Sequence, residues 1–253
     1  MSKLTIPGLR RFNLIAGVVH LLQMIAVLAI ATDFSLPVYA TYMAGPPGSI
    51  YSDPVVIFET PLALMVALFL GLSALAHFIV ASPQFFGRYG KGLEEKRNYF
   101  RWVEYSISSS VMIVLIAQIT GITDVTALVA IFGVNASIIL FGWLQEKYEQ
   151  PGNGGWVPFI FGCITGLVPW LAVGIYVISP GNPSTESAPA FVYGIVVTIF
   201  VLFNSFAWVQ YKQYKAKGKW SNYLHGERIY IVLSLIAKSL LAWQIFANTL
   251  IPV

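Results

Sequence analysis

The chain has 253 residues, of which 57% are hydrophobic and only 10% charged, and its mean hydropathy is +0.72. Soluble domains carry about 25% charged residues, so a water-facing fold is excluded: there is too little polar surface to cover one. The net charge of +4 and pI near 9.1 do not point to nucleic acid, because the cations gather on one side of the apolar segments, the pattern of a membrane protein. A lone cysteine, Cys163, excludes an internal disulfide and a thiolate metal cage.

Seven segments are long and apolar enough to cross about 30 Å of hydrocarbon as helices. In chain order they are Phe12–Ala31, Val55–Val80, Tyr99–Ile119, Thr126–Leu144, Trp156–Ile178, Phe191–Tyr211 and Ile229–Ile251. Turn-forming runs separate them, among them Gly45-Pro46-Pro47-Gly48, Gly121, Pro151 to Gly155 and Ser179 to Pro183. Span 1 has some marks of a signal peptide, with Arg10-Arg11 ahead of it and Ala29-Ile30-Ala31 at its end. Its apolar run is a full span long and carries His20 and Gln23 in the middle, so a true span is expected. The expected architecture is all-α: one seven-transmembrane bundle over residues 1–253. A short β-hairpin is expected in the first outer loop, Asp33–Pro54, where Tyr39, Tyr42 and Tyr51 surround the Gly-Pro-Pro-Gly turn.

All but one of the fifteen Lys and Arg residues fall on one side of these spans. Lys3, Arg10 and Arg11 precede span 1. Arg88, Lys91, Lys96, Arg97 and Arg101 lie between spans 2 and 3 or open span 3. Lys147 follows span 4, and Lys212, Lys215, Lys217, Lys219 and Arg228 lie between spans 6 and 7. The other side carries Asp33, Asp53, Asp124 and Glu186, with no cation. The positive-inside rule then puts the N-terminus in the cytoplasm and the C-terminus outside.

The exception is Lys238, inside span 7. It lies ten residues beyond Arg228, about 15 Å along a helix, which is too deep for the side chain to reach water. Charge within the hydrocarbon is costly and faces the bundle interior. A desolvated lysine is either a structural partner of a carboxylate or an amine suited to Schiff-base chemistry. Glu104, one turn past Arg101 at the cytoplasmic end of span 3, is the best-placed acid; Glu59, near the outer end of span 2, reads as an interfacial or loop-capping residue. Ser234 lies four residues before Lys238, on the same helix face. His20 and His77 fall at the depth of Glu104, and together these residues suggest a buried polar network. Their spacing matches no metal motif, and no metal site is expected.

Three segments, FRWVEYSISSSVMIVLIAQI (Phe100–Ile119), IFGVNASIILFGWLQEKY (Ile131–Tyr148) and WSNYLHGERIYIVLSLIAKSLLAWQIF (Trp220–Phe246), resemble the heliorhodopsins, retinal proteins inverted relative to other microbial rhodopsins. The resemblance implies a rhodopsin-like fold with all-trans retinal on Lys238 as a protonated Schiff base and Glu104 as counterion. It implies that His20, His77 and Ser234 belong to a polar cavity on the cytoplasmic side, with Arg101 at its entrance. Glu146, at the inner end of span 4, is a partner for Arg101 on depth alone. Pocket walls implied are Ser108 and Met112 on span 3, Asn135, Ile138 and Gly142 on span 4, and Phe203, Phe206 and Gln210 on span 6. Gly142 would make room for a bulky ring. The resemblance also implies a homodimer to which the first outer loop contributes.

Pumping rhodopsins place a second carboxylate where this chain has Ser234, and a proton donor further along span 3, where this chain has apolar residues, serines and Gln118. A relay needs titratable groups on both sides of the Schiff base. The expected function is therefore a light-sensing photoreceptor for sensory transduction, without net pumping and without enzymatic activity. Two other readings stand beside it: a light-driven proton transporter or light-gated channel, and a seven-span carrier or enzyme that uses Lys238 and Glu104 without retinal. The cationic Lys212–Lys219 loop could meet anionic lipid or a cytoplasmic signalling partner, although the positive-inside signal alone accounts for it.

Overall fold

The computed structural model describes residues 4–179, 181–182, 184 and 187–251. Lys3 and Glu186, both used in the charge count, and Pro180 and Pro183 of the fifth join lie outside the described residues. In hydrocarbon a backbone must satisfy its own N–H and C=O groups, which leaves the helix as the spanning element here. Among the described residues, seven helices have the length and apolarity to cross. They are α1 (Ile6–Ile30), α2 (Leu62–Ala81), α4 (Tyr99–Ile119), α5 (Val125–Tyr148), α6 (Val157–Ile178), α7 (Ala190–Lys215) and α8 (Tyr223–Ile245), the last continued by a π turn over Phe246–Leu250. Helix α3 (Pro83–Glu94) is short and lies between α2 and α4 in the chain. The expected seven-helix bundle is present, with a two-stranded antiparallel sheet.

Helix starts follow side-chain caps. The backbone N–H of Gly8 donates to Thr5 Oγ1, that of Arg101 to Asn98 Oδ1, and that of Leu224 to Asn222 Oδ1. These polar caps let helices begin beyond the apolar run, so α1 starts six residues and α8 six residues before the spans expected from hydropathy. The earlier starts carry Arg10 and Glu227 into the helices. Arg10 Nε donates to the Ala81 carbonyl at the end of α2, 2.7 Å away, satisfying an acceptor that the helix leaves free.

Span 2 begins differently from its hydropathy. Val55 to Pro61 form strand β2, not helix, and pair with β1 (Ser35–Ala40); Pro61 then leads into α2. The run Val-Val-Ile-Phe is apolar, β-branched and then aromatic, which suits a strand as well as a span, and seven residues are too few to resolve the two by periodicity. The hairpin therefore runs further along the chain than the loop Asp33–Pro54, and Glu59 lies on β2, exposed and opposite Pro37. Tyr39 is tied to the α4–α5 turn by a bond from its N–H to the Thr123 carbonyl, 2.9 Å.

Around the bundle, α1 packs on α2 and α8, α2 on α4, α4 on α5, α5 on α6, and α7 on α8. The α1–α2 approach is close because Gly17 carries no Cβ; one there would meet Phe78 at 2.9 Å and His77 Cβ at 3.2 Å. The largest apolar cluster includes Val27, Val66, Phe69, Leu70, Ile113, Ile116, Leu241 and Ile245. It fills the half of the bundle that holds the hairpin. On the other half α3 lays Tyr89 and Leu93 against α1 and turns Arg88 and Lys91 outward.

Asp124 caps α5, accepting from the N–H groups of Thr126 (2.9 Å) and Ala127 (3.0 Å). The Thr126 hydroxyl donates to the same carboxylate, and that bond first, with these backbone bonds, holds the carboxyl below the ordinary carboxylate range. A depressed acid stabilises above its unfolded-state pKa, and the contribution is lost as pH falls through the folded value. Asp124→Ala should therefore cost about 1 kcal/mol at neutral pH. In detergent, the gap between wild-type and variant melting temperatures should close on acidification.

Candidate functional site

Three helices bring the central pair together. Lys238 on α8 is buried, and its Nζ donates to Glu104 Oε1 on α4 at 2.7 Å and to Ser234 Oγ at 3.1 Å. The Ser234 contact is the i, i+4 neighbour that helix geometry dictates. The third helix is α2, whose Ser73 Oγ lies 2.5 Å from Nζ and donates to Glu104 Oε1 at 2.7 Å. Sequence reasoning missed Ser73, which has no charge and no pattern to mark it among the leucines and alanines of α2. The face of the Tyr105 ring lies 5.1 Å from Nζ, within range of a cation–π attraction.

Desolvating two unit charges costs several kcal/mol per ion, and only close pairing with further hydrogen bonds offsets it. The pair meets that condition: its cation has three oxygen partners, and its carboxylate has both the ammonium and a hydroxyl.

His20 and His77 do come together, but in different roles. Their rings stack at 5.6 Å with 12° between planes. His77 Nδ1 is 2.7 Å from Asn13 Oδ1, and the Asn13 amide in turn donates to Tyr89 Oη at 3.2 Å. Burial raises the Tyr89 phenol above its ordinary range, so it stays neutral. Neither ring nitrogen of His20 has a hydrogen-bond partner among the described residues. A cavity of about 40 Å³ lies against His77, Ser73, Glu104, Arg101 and Glu227. His20 is not in its wall.

Arg101 is the centre of a second buried cluster. Its guanidinium pairs with Glu146 and with Glu227 and stacks 3.9 Å from the Tyr230 ring and 4.4 Å from Trp102. Asn98, Trp102 and Tyr223 donate to the same two carboxylates at 2.7–2.9 Å. The Glu146 partnership follows the expectation from depth. Glu227 was not singled out, because α8 begins earlier than hydropathy indicates and what reads as a loop acid beside Arg228 is inside the bundle; Asn222, as a cap residue, was the available signal.

From Lys238 a cavity of about 50 Å³ opens between α4 and α7, walled by Ser108, Met112, Phe203, Phe206 and Ser234. Tyr105, Ile139, Phe203 and Phe206 also wall a larger space of about 300 Å³ that continues between α5, α6 and α7. There Asn135, Ile138, Gly142 and Gln210 line it, so every wall residue expected on spans 3, 4 and 6 borders one space or the other. Asn135 donates to Ser109 (2.8 Å) and Ser110 (3.0 Å), and Gln210 to the Gly142 carbonyl (3.3 Å). The bulky ring for which Gly142 makes room is that of Trp102: a Cβ at this glycine would meet the indole at 2.5 Å. Trp170, packed edge-on to Phe203 at 5.7 Å, and Cys163 complete the α6 side.

Removing the cation from the second cluster leaves two buried carboxylates without their charge partner. Arg101→Met should therefore destabilise the protein by about 3–5 kcal/mol, measured as loss of helical signal on heating in detergent.

The heliorhodopsin family model matches residues 9–250, nearly the whole chain. No curated protein matches it. With seven membrane-length helices and a buried lysine at the head of an apolar cavity, the chain belongs to the heliorhodopsin family of retinal-binding, light-sensing membrane proteins.

Proposed function

We propose that the protein is a photoreceptor that converts light into a conformational signal without net ion transport, with Lys238 as the retinal attachment site and Glu104 as counterion. The observation that carries this reading is the buried Lys238–Glu104 pair at 2.7 Å, opening directly onto the apolar cavity. The residues fit retinal. Ligand pockets run from about 300 to 1,000 Å³, and the space of about 300 Å³ begins beyond the side chains that wall the lysine's own cavity. Its aromatic and aliphatic walls suit a flat polyene, and the amine stands at one end. Retinal, bound all-trans as a protonated Schiff base, supplies the absorption of light and the isomerisation that follows.

The chain's own residues then govern charge and proton. Glu104 compensates a positive nitrogen at Lys238, with the Ser73 and Ser234 hydroxyls as local donors and acceptors. A proton leaving that nitrogen meets Glu104 first, and beyond it the small cavity against His77. That volume has room for a water molecule, and the polar groups around it can exchange a proton. In the other direction Leu241, Ala242, Ile245, Ile113 and Ile116 are closely packed and buried. The proton therefore returns from the side it left to.

The cation-rich side is cytoplasmic in this reading, the N-terminus inside and the C-terminus outside, by the positive-inside rule. The single bundle is one retinal-binding domain. The hairpin contributes to a homodimer: Val55, Val56, Ile57 and Phe58 of β2 are each about half exposed, an apolar surface that a second copy would cover. A cytoplasmic partner receives the signal.

Adding retinal to purified apoprotein should give a visible absorption band, and Lys238→Ala should give none. Glu104→Gln should move the band to longer wavelength, because loss of the anion lets positive charge spread along the polyene. If Lys238→Ala protein is coloured, the attachment site is elsewhere.

Illuminated cells or vesicles should show no sustained, protonophore-sensitive pH change; such a change would establish transport in place of sensing. Changing His20 and His77 together to Ala should alter the rise or decay of the deprotonated photointermediate, while either change alone leaves the photochemistry in place.

A further inference from the structure

On the opposite side of α4 from the ligand cavity, α2, α3 and α4 enclose a groove of about 610 Å³. Its walls in the hydrocarbon are Leu72, Leu75 and Ile79 of α2 and Val103 and Ile107 of α4. Leu75, Val103 and Ile107 are 56%, 47% and 44% exposed, so the groove is open to the bilayer rather than sealed by protein. Its mouth is cationic: Arg88 and Lys91 on α3, and Arg97 after it. Arg97 already pairs with Glu95 at 2.7 Å, the one acid at the mouth, while neither Arg88 nor Lys91 pairs with a carboxylate among the described residues. At the inner end is Glu104, whose side chain remains 9% exposed.

We propose that this groove seats one anionic phospholipid from the leaflet on the α3 side. Its phosphate sits at Arg88, Lys91 and Arg97, and one acyl chain lies along Leu75, Val103 and Ile107 to cover Glu104. Length and charge both select this occupant. From Tyr99, where α4 begins, to Ile107 the helix rises about 12 Å, most of the depth of one leaflet in an approximately 30 Å hydrocarbon core. A soluble anion would use the mouth and leave the trough empty; a zwitterionic lipid would fill the trough without offering the cations a net negative charge. The acyl chain would give the carboxylate of the central pair a dry wall on its lipid side, leaving the small cavity against His77 as its polar neighbour. The seat rests on the groove itself and not on retinal attachment, so its test needs no chromophore and can fail or succeed independently of the photoreceptor reading.

The experiment is native mass spectrometry of the full chain, released from mild detergent after incubation with equal amounts of phosphatidylglycerol and phosphatidylcholine. One retained phosphatidylglycerol is expected, preferred by about tenfold or more. Arg88→Gln with Lys91→Gln should bring the ratio close to one, and Val103→Trp, which fills the trough and spares the cations, should abolish retention. Lys212→Gln with Lys215→Gln, a change of equal charge elsewhere on the same face, should change neither. An unchanged preference in the Arg88/Lys91 variant, retention in Val103→Trp, or an equal loss in the Lys212/Lys215 variant would overturn the proposal. Wild-type protein provides a test that needs no variant to fold. Phosphatidylglycerol with a photoactivatable diazirine in its acyl chain should crosslink preferentially to the segments from Leu72 to Ile79 and Val103 to Ile107. Adducts spread evenly around the bundle would exclude the seat.

Discussion

An ammonium group halfway through about 30 Å of hydrocarbon cannot remain charged by itself; water is too far and the dielectric too low. Lys238 is in that position, and much of the bundle is arranged around the need to compensate it. Helix α4 brings Glu104 to 2.7 Å, α2 brings Ser73 to 2.5 Å, and α8 itself supplies Ser234. Meeting all three at once fixes the relative rotation and depth of α2, α4 and α8. The close α1–α2 contact at Gly17 then places His20 and His77 immediately behind the pair. Such a pair contributes little to net stability, because desolvation consumes most of its attraction.

The Arg101 cluster differs in kind. It joins α4, α5 and α8 at the cation-rich end of the bundle, with two carboxylates on one guanidinium and neutral donors from Asn98, Trp102 and Tyr223 around them. Arginine suits this place because its planar fork addresses two anions at once while its faces stack on Trp102 and Tyr230. The 40 Å³ cavity is bordered by members of both this cluster and the Lys238–Glu104 pair, with Tyr105 and Tyr230 in its wall. The two clusters thus share one small polar-lined space.

Hydropathy and the positions of the cations made the seven crossings legible, because a span must satisfy two crude demands, length and apolarity. They misplaced ends where polar residues act as caps: Asn222 starts α8 before Glu227, and Thr5 starts α1 before Arg10. They also merged β2 with α2, since Val55 to Phe58 are apolar whether they face lipid as strand or as helix. Helix α3 was hidden for the converse reason: its Gly, Arg and Lys content reads as a loop, and only docking of Tyr89 and Leu93 onto α1 and its neighbours makes it a helix. At the site, the charged members announced themselves by being out of place in hydrocarbon. Ser73 could not, because a serine in a membrane helix satisfies itself on the preceding turn and costs little anywhere. Likewise the ring facing Gly142 could have been a ligand or a side chain, and only coordinates assign it to Trp102.

Buried charge is distributed unevenly along the bundle. Among the described residues, the buried charged side chains are Arg101, Glu146, Glu227 and Lys238, with Glu104 at their edge, and all lie between the bundle's centre and its cation-rich end. Past Lys238 the buried polar groups are amides and hydroxyls such as Gln118 and Thr60, which bond to each other at 2.9 Å. Neither can hold a proton at ordinary pH. A titratable group buried on that side would need a partner of its own to offset its desolvation, and the core there, with Phe69, Ile113, Ile116 and Leu241, is apolar. Among the described residues, buried charge is thus confined to one half of the membrane. The elements whose relative placement the Lys238–Glu104 pair holds are α2, α4 and α8, because Ser73, Glu104 and Ser234 meet on the same pair.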